Sequence, residues 1–321
     1  MLQQAWQRRG WLACALWPLS LLYRLIASLH RFAFQRGLLR VTRVGVPVVV
    51  VGNVLVGGTG KTPVLIAIAR HLQARGLQVG VVSRGYAGTA SDCREVLPDS
   101  DPALVGDEPL LIARSINAPV FVATRRVQAA QALLARHPVT RLILCDDGLQ
   151  HYALAREVEI CLFDDRGIGN GWCLPAGPLR EAWPRAVDFV LHTGLSPLTG
   201  GFRAHRGLAA HALRSDGRKV SLATLVGTPV HAVAAIARPD AFFAMLRSAG
   251  LELARTTALP DHYSFASWHA PDAQNLTLVC TEKDAVKLWR SHPSALAVLL
   301  EVSIDQAFFV ALEEHLGLSS N

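Results

Sequence analysis

An apolar run that leads into a glycine-rich stretch limits most strongly what this chain can fold into. Residues 46–51 have the pattern of a buried strand, and the stretch VGNVLVGGTGKTP begins at the end of that run. A helical pattern over residues 62–75 follows at once. A strand, a glycine turn and a helix in this order are typical of an α/β fold built on a parallel sheet.

The alternation of apolar strands with helical stretches continues along the chain and predicts a doubly wound, mainly parallel sheet. Further strands are predicted at residues 78–83, 119–122, 141–145, 159–163 and 188–192, and helices at residues 108–115 and 126–136. Residues 193–203, rich in Gly, Pro and Ser, indicate a connection to a second set: strands 230–235 and 276–280, a helix over 239–249 and a helix from Gln306. We therefore expect an N-terminal helix within residues 1–45, a P-loop nucleotide-binding α/β core over 46–200 and a smaller C-terminal α/β lobe over 201–321.

The glycine stretch has the residue types of a phosphate-binding loop. Its glycines allow backbone N–H groups to approach phosphates at the start of a helix. Lys61 is expected to reach the β- and γ-phosphates of a nucleotide, and Thr62 to offer its hydroxyl to Mg²⁺. The usual spacing differs, because Leu55 stands where the first glycine belongs. A turn without a nucleotide has no need of Lys-Thr, so we predict a nucleotide site formed by Leu55, Val56, Gly57, Gly58, Thr59, Gly60, Lys61 and Thr62.

Paired carboxylates occur at two junctions between predicted elements. RLILCDDGLQH puts Asp146 and Asp147 at the end of a strand, where ligands bind in open α/β sheets. One of them is suited to hold Mg²⁺ through water, and a bare turn is the alternative interpretation. VGDEPLLIA puts Asp107 and Glu108 at the start of a helix, where capping by Asp107 is the alternative to a chemical role.

Two loops contribute further polar groups. GIGNGWCLPAGPLRE, which begins at Gly167, is rich in Gly and Pro and ends in the charged pair Arg180 and Glu181. PDHYSF places His262 beside Asp261. An isolated histidine is more often structural than chemical, so both interpretations of His262 stay open.

The net charge of +7 lies entirely in the N-terminal segment. Residues 1–47 hold seven of the 32 basic residues and no Asp or Glu, whereas the remainder has 25 basic and 25 acidic residues. The arginines flank an apolar stretch over residues 11–23 that is rich in Trp and Leu. This pattern favours a membrane surface that carries anionic lipid over a nucleic acid as the partner.

The length of the apolar segment leaves its depth in a membrane open. Thirteen helical residues reach about 20 Å, against about 30 Å for a hydrocarbon core. Extension to Leu29 takes in Pro18 and Arg24 and gives almost enough length for a tilted span. Interfacial embedding, spanning, and packing as a buried helix on the domain are therefore three alternatives. No small-x-small cleavage site follows, which disfavours a signal peptide.

Composition narrows the class further. Hydrophobic residues make up 51% of the chain and charged residues 18%, which favours a globular protein over a disordered one. The six cysteines have no CxxC spacing, which disfavours a zinc site or a disulfide framework and suits a reduced, cytosolic setting.

Taken in chain order, seven motifs resemble one family. GNVLVGGTGKTP, SRGY, VGDEP, DDGLQH, LPAGPLRE, DHYSF and TEKDAVK, between residues 46 and 287, are similar to the tetraacyldisaccharide 4'-kinase family, the lipid A 4'-kinases of Gram-negative bacteria. The family's glycine loop has the same offset first glycine. One departure is LREAWP, because Ala182 stands where the family often has proline.

The resemblance implies a reaction and roles for residues. ATP is expected to phosphorylate the 4'-hydroxyl of a tetraacyldisaccharide 1-phosphate and give lipid IVA, at the cytoplasmic face of the bacterial inner membrane. The family implies Asp107 as the base, assisted by His262, while Lys61 neutralises charge on the phosphoryl group. Mg²⁺ is expected at Thr62, Glu108 and Asp146. The residues expected to bind the lipid substrate in the cleft are Arg126, Asp147, Gln150, His151, Asn170, Arg180 and Glu181.

Two other classes of protein are alternatives. A membrane-associated P-loop switch ATPase often carries an extra lysine early in the glycine loop, and VLVGGTGK has none. A GTPase is disfavoured, because TEKD has its lysine third, unlike the guanine-reading NKxD. A lipid-binding protein with a relic nucleotide site is disfavoured by the intact Lys61, Thr62, Asp107 and Asp146. The role of TEKDAVK stays open: Lys283 contacts phosphate, or the motif caps the helix that follows strand 276–280.

Overall fold

One continuous sheet organises the protein in a computed structural model that describes residues 6–57, 60–85, 92–194, 200–261, 263–270 and 276–318. A long N-terminal helix, α1 (Trp11–Gln35), precedes the sheet. The first half of the sheet surrounds the glycine stretch, and the second half is built from the residues after Gly201.

The first half of the sheet is parallel apart from one edge strand. Its strands are β1 (Val48–Gly52), β2 (Val79–Ser83), β3 (Arg94–Val96), β4 (Val120–Val122), β5 (Leu142–Asp146), β6 (Val158–Phe163) and β7 (Phe189–His192). They stand in the order β7-β6-β1-β5-β2-β4-β3, and only β3 and β4 pair antiparallel. The register Val51↔Asp146 brings the carboxyl ends of β1 and β5 to the same edge.

Helices cover both faces of this half. They are α2 (Lys61–Ala74), α3 (Pro102–Val105), α4 (Asp107–Ser115) and α5 (Arg126–Arg136). Alternate residues of β1 point to opposite faces, so Val49 and Val51 join the core that contains α2 and α4. Val48 and Val50 join the core that contains α5. The predicted doubly wound α/β fold is confirmed.

The second half extends the same sheet. Its elements are β8 (Phe202–Leu213), β9 (Lys219–Ser221), a 3₁₀ turn (Leu222–Leu225), β10 (Pro229–Ala234), α6 (Pro239–Ser248), β11 (Glu252–Ala258), β12 (Thr277–Thr281), α7 (Glu282–Leu288), β13 (Leu296–Ile304) and α8 (Gln306–His315). The strands follow β7 in the order β8-β13-β12-β10-β11, with β9 beside β8. β8 is parallel to β7 and antiparallel to β13, so the strands beyond it run in the reverse direction.

The predicted strands and helices are present with bounds shifted by one or two residues, and several elements had not been predicted. β8 begins at Phe202, inside the segment expected to be a connection. β8 and β11 carry few buried apolar side chains, so neither has a clear apolar alternation. α7 is only seven residues long, too short for a helical period to stand out.

The N-terminal helix is longer than the apolar stretch and continues through Pro18. It rests on the domain by one narrow stripe, where the Ser20 hydroxyl donates to the carbonyl of Cys173 at 2.8 Å and the Tyr23 hydroxyl donates to the carbonyl of Arg180 at 3.0 Å. Only 11% of the most apolar 18-residue stretch of this helix is buried, which disfavours the alternative that it is a buried helix. By length and composition the helix is able to cross a membrane.

Candidate functional site

A cleft of about 1370 Å³ lies between the two halves of the sheet. Its floor is the glycine loop after β1, with the residues that end β2 and β5. Its opposite wall comes from the start of α6, the start of α7 and β13. Open α/β sheets bind ligands at the carboxyl ends of their strands, and the predicted motifs meet there.

The glycine loop leads directly into α2. Gly60 is the N-cap with φ +77°, and Lys61 and Thr62 are the first two residues of the helix. The Lys61 ammonium lies 3.6 Å from Oδ1 of Asp147 and 3.5 Å from Oδ1 of Asn53. Gly58 and Thr59, predicted to bind the nucleotide, lie outside the described residues.

Sequence reasoning missed two arginines that contact this loop, Arg206 and Arg166, and a third, Arg238, that lines the cleft. The side chain of Arg206, on β8, lies against Gly60 and donates to the Thr193 hydroxyl at 2.5 Å. Arg166 donates to the carbonyl of Val56 at 3.2 Å, and the carboxylate of Asp164 pairs with Arg166 at 3.0 Å and with Arg238 at 3.6 Å. The sequence CLFDDR repeats the strand-then-Asp-Asp pattern of RLILCDDG, and that repetition was the available signal.

Asp146 ends β5 in a buried and negatively charged surrounding. The Ser83 hydroxyl donates to its Oδ2 at 3.1 Å, whereas its buried Oδ1 has no hydrogen-bond partner among the described residues. Burial, followed by the charges of Glu108 and Asp147, raises the pKa of Asp146 to about 7. The site therefore has one carboxylate that a cation would stabilise in its ionised form.

Asp147, the next residue, is held as an anion. It has φ +47°, and its two oxygens accept from Nη1 of Arg180 at 3.1 and 3.0 Å. Burial alone would raise the pKa of Asp147, but Lys61 and Arg180 outweigh burial and lower it. Arg180 also donates to Gln150 at 3.4 Å, and Gln150 donates to the carbonyl of Asn53 at 3.2 Å. The predicted residues Asp147, Gln150 and Arg180 thus form one network beside the glycine loop.

Arg126 and His151 form a second polar group in the cleft wall. Arg126 begins α5 and donates through Nη2 to the carbonyls of Asp146 and Asp147 at 3.2 and 3.3 Å. Nε2 of His151 accepts from the backbone N–H of Arg126 at 3.2 Å. Burial and the charge of Arg126 lower the pKa of His151 to about 4. His151 is therefore neutral at pH 7 and serves as an acceptor.

Asp107 is buried at the start of α4 and paired with a cation from the second half. Gly106, not Asp107, is the N-cap of α4, so capping does not explain Asp107. The Lys287 ammonium lies 2.7 Å from its Oδ2. Lys283 lies 3.6 Å from Oε1 of Glu108. His262, the predicted partner of Asp107, lies outside the described residues, and that partnership stays a prediction.

The motif TEKDAVK forms the start of α7. The Thr281 hydroxyl accepts from the backbone N–H of Asp284 at 3.2 Å, which is an N-cap contact. The capping interpretation is therefore confirmed. Lys283 pairs with Glu108 and with Asp261 at 3.4 Å.

Asn170 and Glu181 are not among the residues that line the cleft. The Asn170 side chain is used within its own loop, where it donates to the carbonyl of Ala176 at 2.8 Å and accepts from the N–H of Trp172 at 3.0 Å. Glu181 accepts from the Tyr152 hydroxyl at 2.5 Å and pairs with Arg185 at 3.2 Å. Both side chains shape the loop that carries Arg180, and a direct contact with substrate stays a prediction.

Fold and cleft together define an α/β nucleotide-binding protein with a cationic loop opposite a group of carboxylates. Residues 12–317 match the family model described as tetraacyldisaccharide-1-P 4'-kinase. A tetraacyldisaccharide 4'-kinase of Acidovorax sp. (strain JS42) is 60% identical over all of this chain and 95% of its own length, and that of Delftia acidovorans is 54% identical over 98% and 94%. A crystal structure of LpxK from Aquifex aeolicus in complex with ATP has a TM-score of 0.82 and 26% identity, over 94% of this chain and 98% of that one.

The chain belongs to the tetraacyldisaccharide 4'-kinase family. It is accordingly an ATP-dependent kinase of lipid A biosynthesis, as the motifs had predicted.

Gly60 gives a direct test of the glycine loop. Its φ of +77° disfavours any side chain, and a Cβ there would lie 2.4 Å from Nη2 of Arg206. We expect Gly60→Ala to weaken ATP binding about tenfold or more, by the strain of about 1 kcal/mol and by displacement of Arg206. Gly76→Ala is the matched control, because Gly76 has φ +82° and no atom within 4 Å of its Cβ position. Equal ATP affinities in the two variants, measured by calorimetric titration, would contradict the assignment.

Asp146 gives a prediction about pH. The pKa of the Asp146 carboxyl is raised to about 7 in the folded protein. The folded state therefore binds the proton of this carboxyl more tightly than the unfolded state does. The contribution of Asp146 to the free energy of unfolding is full below about pH 4 and disappears as the pH rises through about 7. The free energy of unfolding is measured by urea titration in detergent with EDTA, at pH 5 and at pH 7.5. The difference between the two pH values should be smaller in Asp146→Asn than in the wild type. An unchanged difference between the two pH values would contradict the burial of this charge.

Proposed function

We propose that the cleft transfers the γ-phosphoryl group of ATP to the 4'-hydroxyl of tetraacyldisaccharide 1-phosphate, giving lipid IVA. The observation that carries this proposal is the meeting of Lys61, Asp146 and Asp147 beside the glycine loop, at the carboxyl ends of neighbouring strands. Phosphoryl transfer requires chiefly positioning and charge neutralisation. This arrangement supports both.

The loop from Leu55 to Thr62 binds the triphosphate in this proposal. The start of α2 directs backbone N–H groups and the positive end of the helix dipole toward the phosphates. Lys61 neutralises charge that grows on the β–γ bridge as the bond breaks. Arg206, which lies against Gly60, and Arg166, which donates to the carbonyl of Val56, keep the backbone of the loop in place.

The residues present fit a magnesium ion. Asp146 supplies a buried carboxylate oxygen without a hydrogen-bond partner in the described part of the chain, and Glu108 adds negative charge beside it. Within the same ranges no three acidic, His or Cys side chains converge, so the Thr62 hydroxyl, water and the phosphates would complete the ligand set. Mg²⁺ held by Thr62, Glu108 and Asp146 would neutralise the β- and γ-phosphate oxygens.

Asp107 is the proposed base for the sugar hydroxyl, and His262 its proposed partner. Asp107 is buried at the start of α4, beside Glu108, which lines the cleft, and it contacts Lys287 of the second half. Arg126, Gln150, His151 and Arg180 are the proposed contacts to the sugar and its phosphate. Asp147 pairs with both Lys61 and Arg180. In this proposal it therefore connects the lysine that contacts ATP with the arginine that contacts the lipid substrate.

α1 is proposed to hold the enzyme at the cytoplasmic face of the inner membrane, where ATP and a lipid acceptor meet. Its apolar side chains Leu22, Ile26 and Leu29 are exposed, whereas Ser20 and Tyr23 contact the loop that ends in Arg180. We also propose that the chain divides into an N-terminal helix, a nucleotide-binding core and a smaller C-terminal lobe.

Lys61→Ala tests the chemistry. Loss of the ammonium should lower turnover by orders of magnitude, because Lys61 acts on the transition state, while a cooperative unfolding transition should persist, because Arg180 still pairs with Asp147. Lys219→Ala, on exposed β9, is the matched control. A variant that keeps more than about a tenth of wild-type turnover, roughly 1.4 kcal/mol in barrier, would contradict the role.

The product identifies the class of protein. With ATP labelled at the γ-phosphate, thin-layer chromatography of the lipid should find the label in a bisphosphorylated product. Release of labelled phosphate without labelled lipid would instead indicate a switch ATPase. Lipid binding without ATP turnover would indicate a lipid-binding protein with a relic nucleotide site.

The exposed side of α1 tests membrane binding. The first triple variant is Leu22→Asp/Ile26→Asp/Leu29→Asp. It should be released from vesicles of phosphatidylethanolamine and phosphatidylglycerol, because three carboxylates disfavour insertion of α1 into the bilayer and are repelled by its anionic surface. The contacts of Ser20 and Tyr23 are untouched, so ATP binding should persist. The control is the triple variant Leu97→Asp/Val139→Asp/Val226→Asp, which adds the same charge at exposed apolar positions outside α1. It should still sediment with the vesicles. Equal sedimentation of both triple variants would contradict the anchor.

A further inference from the structure

Two lysines of α7 connect the acidic pair at the start of α4 to the segment around residue 262. Lys287 lies 2.7 Å from Oδ2 of Asp107 and donates to the carbonyl of Tyr263 at 3.4 Å. Lys283, one helical turn earlier, lies 3.6 Å from Glu108 and 3.4 Å from Asp261. Each lysine therefore contacts one residue of the first half and one of the second.

The choice of lysine is unusual in this chain. Only four of its 32 basic residues are lysines: Lys61, Lys219, Lys283 and Lys287. A lysine ammonium is a compact point charge that approaches one carboxylate oxygen, whereas an arginine fork tends to engage both oxygens. The Lys287 ammonium donates to Oδ2 of Asp107 at 2.7 Å, and this contact restricts the rotation of the carboxylate.

Burial makes this contact important for the position of Asp107. The side chain of Asp107 is 4% exposed and that of Lys287 17%. A short charge-assisted hydrogen bond in a buried place fixes the direction of a carboxylate more firmly than a neutral hydrogen bond does. A general base acts only from within hydrogen-bond reach of the proton that it accepts, so the orientation of Asp107 decides whether it is able to act.

We propose that Lys287 is a positioning residue for the kinase reaction, which holds the Asp107 carboxylate in one orientation, and that Lys283 supports it from the preceding turn. This inference rests on the proposed role of Asp107 as base. It gives TEKDAVK a function beyond capping: its two lysines join the base to the PDHYSF segment across the two halves of the sheet. Lys287 acts through Asp107 and does not touch the reacting atoms.

Lys287→Met removes the charge and retains most of the apolar stem. We expect kcat to fall about tenfold or more, within the range that general-base catalysis contributes, while KM for ATP stays within about twofold. Lys287→Arg keeps the charge and should recover a large part of kcat. Lys219→Met, on exposed β9, is the matched control and should equal the wild type. If the Met variant lacks a cooperative unfolding transition, Lys287→Gln, which keeps a hydrogen-bond donor, replaces it.

A double-mutant cycle separates positioning from a general structural role. If Lys287 acts only through Asp107, Lys287→Met should cost nothing further in the Asp107→Asn background. Wild-type turnover in Asp107→Asn alone would overturn the base assignment in the proposed function. Two results would overturn this inference only, provided that Asp107→Asn is impaired. One is wild-type turnover in Lys287→Met, and the other is losses that multiply in the double variant. A rise in KM for ATP at constant kcat would also overturn it.

Discussion

The pairing of β8 with two different neighbours is the constraint on which the rest of the site depends. β8 lies parallel to β7 at Leu191↔Phe202 and antiparallel to β13 along most of its remaining length. In a flat sheet this reversal would put the carboxyl ends of the two halves at opposite edges. Sheets twist, and β13 has a register shift between Val298 and Leu300, a feature that increases local twist and bends a strand. α7 thereby reaches α4, and one cleft receives residues from both halves.

The charges in this cleft separate two neighbouring carboxylates into different tasks. Asp146 and Asp147 are adjacent in sequence, yet burial and acidic neighbours raise the pKa of the first, while Lys61 and Arg180 lower that of the second. Such divergence between adjacent groups is characteristic of sites that bind cations and substrates together. Asp147 stabilises Lys61 and Arg180 in the free protein, and Asp146 remains available to a metal ion and its phosphates.

Much of the fold was predictable from local pattern, because the strands of the first half are buried on both faces and give continuous apolar runs. The glycine loop and DDGLQH were recognisable because a strand and a helix enclose each of them. β8 and β11 were not, since their side chains are half exposed and their strand character depends on partners far away in sequence. The pairing of Lys287 with Asp107, 180 residues apart, follows from the bend of the sheet and leaves no trace in spacing. For Asn170 the sequence leaves two roles open, because a polar residue in a glycine-rich loop serves the loop itself as readily as a ligand, and its contact with substrate stays a prediction.

A crystal structure of the complex with a non-hydrolysable ATP analogue, Mg²⁺ and the tetraacyldisaccharide 1-phosphate tests the central claim, that both halves build one site for phosphoryl transfer. The account predicts that Lys61 contacts the β- and γ-phosphates, and that the 4'-hydroxyl lies between the γ-phosphorus and Asp107. The hydroxyl should be within about 3.2 Å of the Asp107 carboxylate. A 4'-hydroxyl bound away from the γ-phosphorus and out of reach of Asp107 would contradict it.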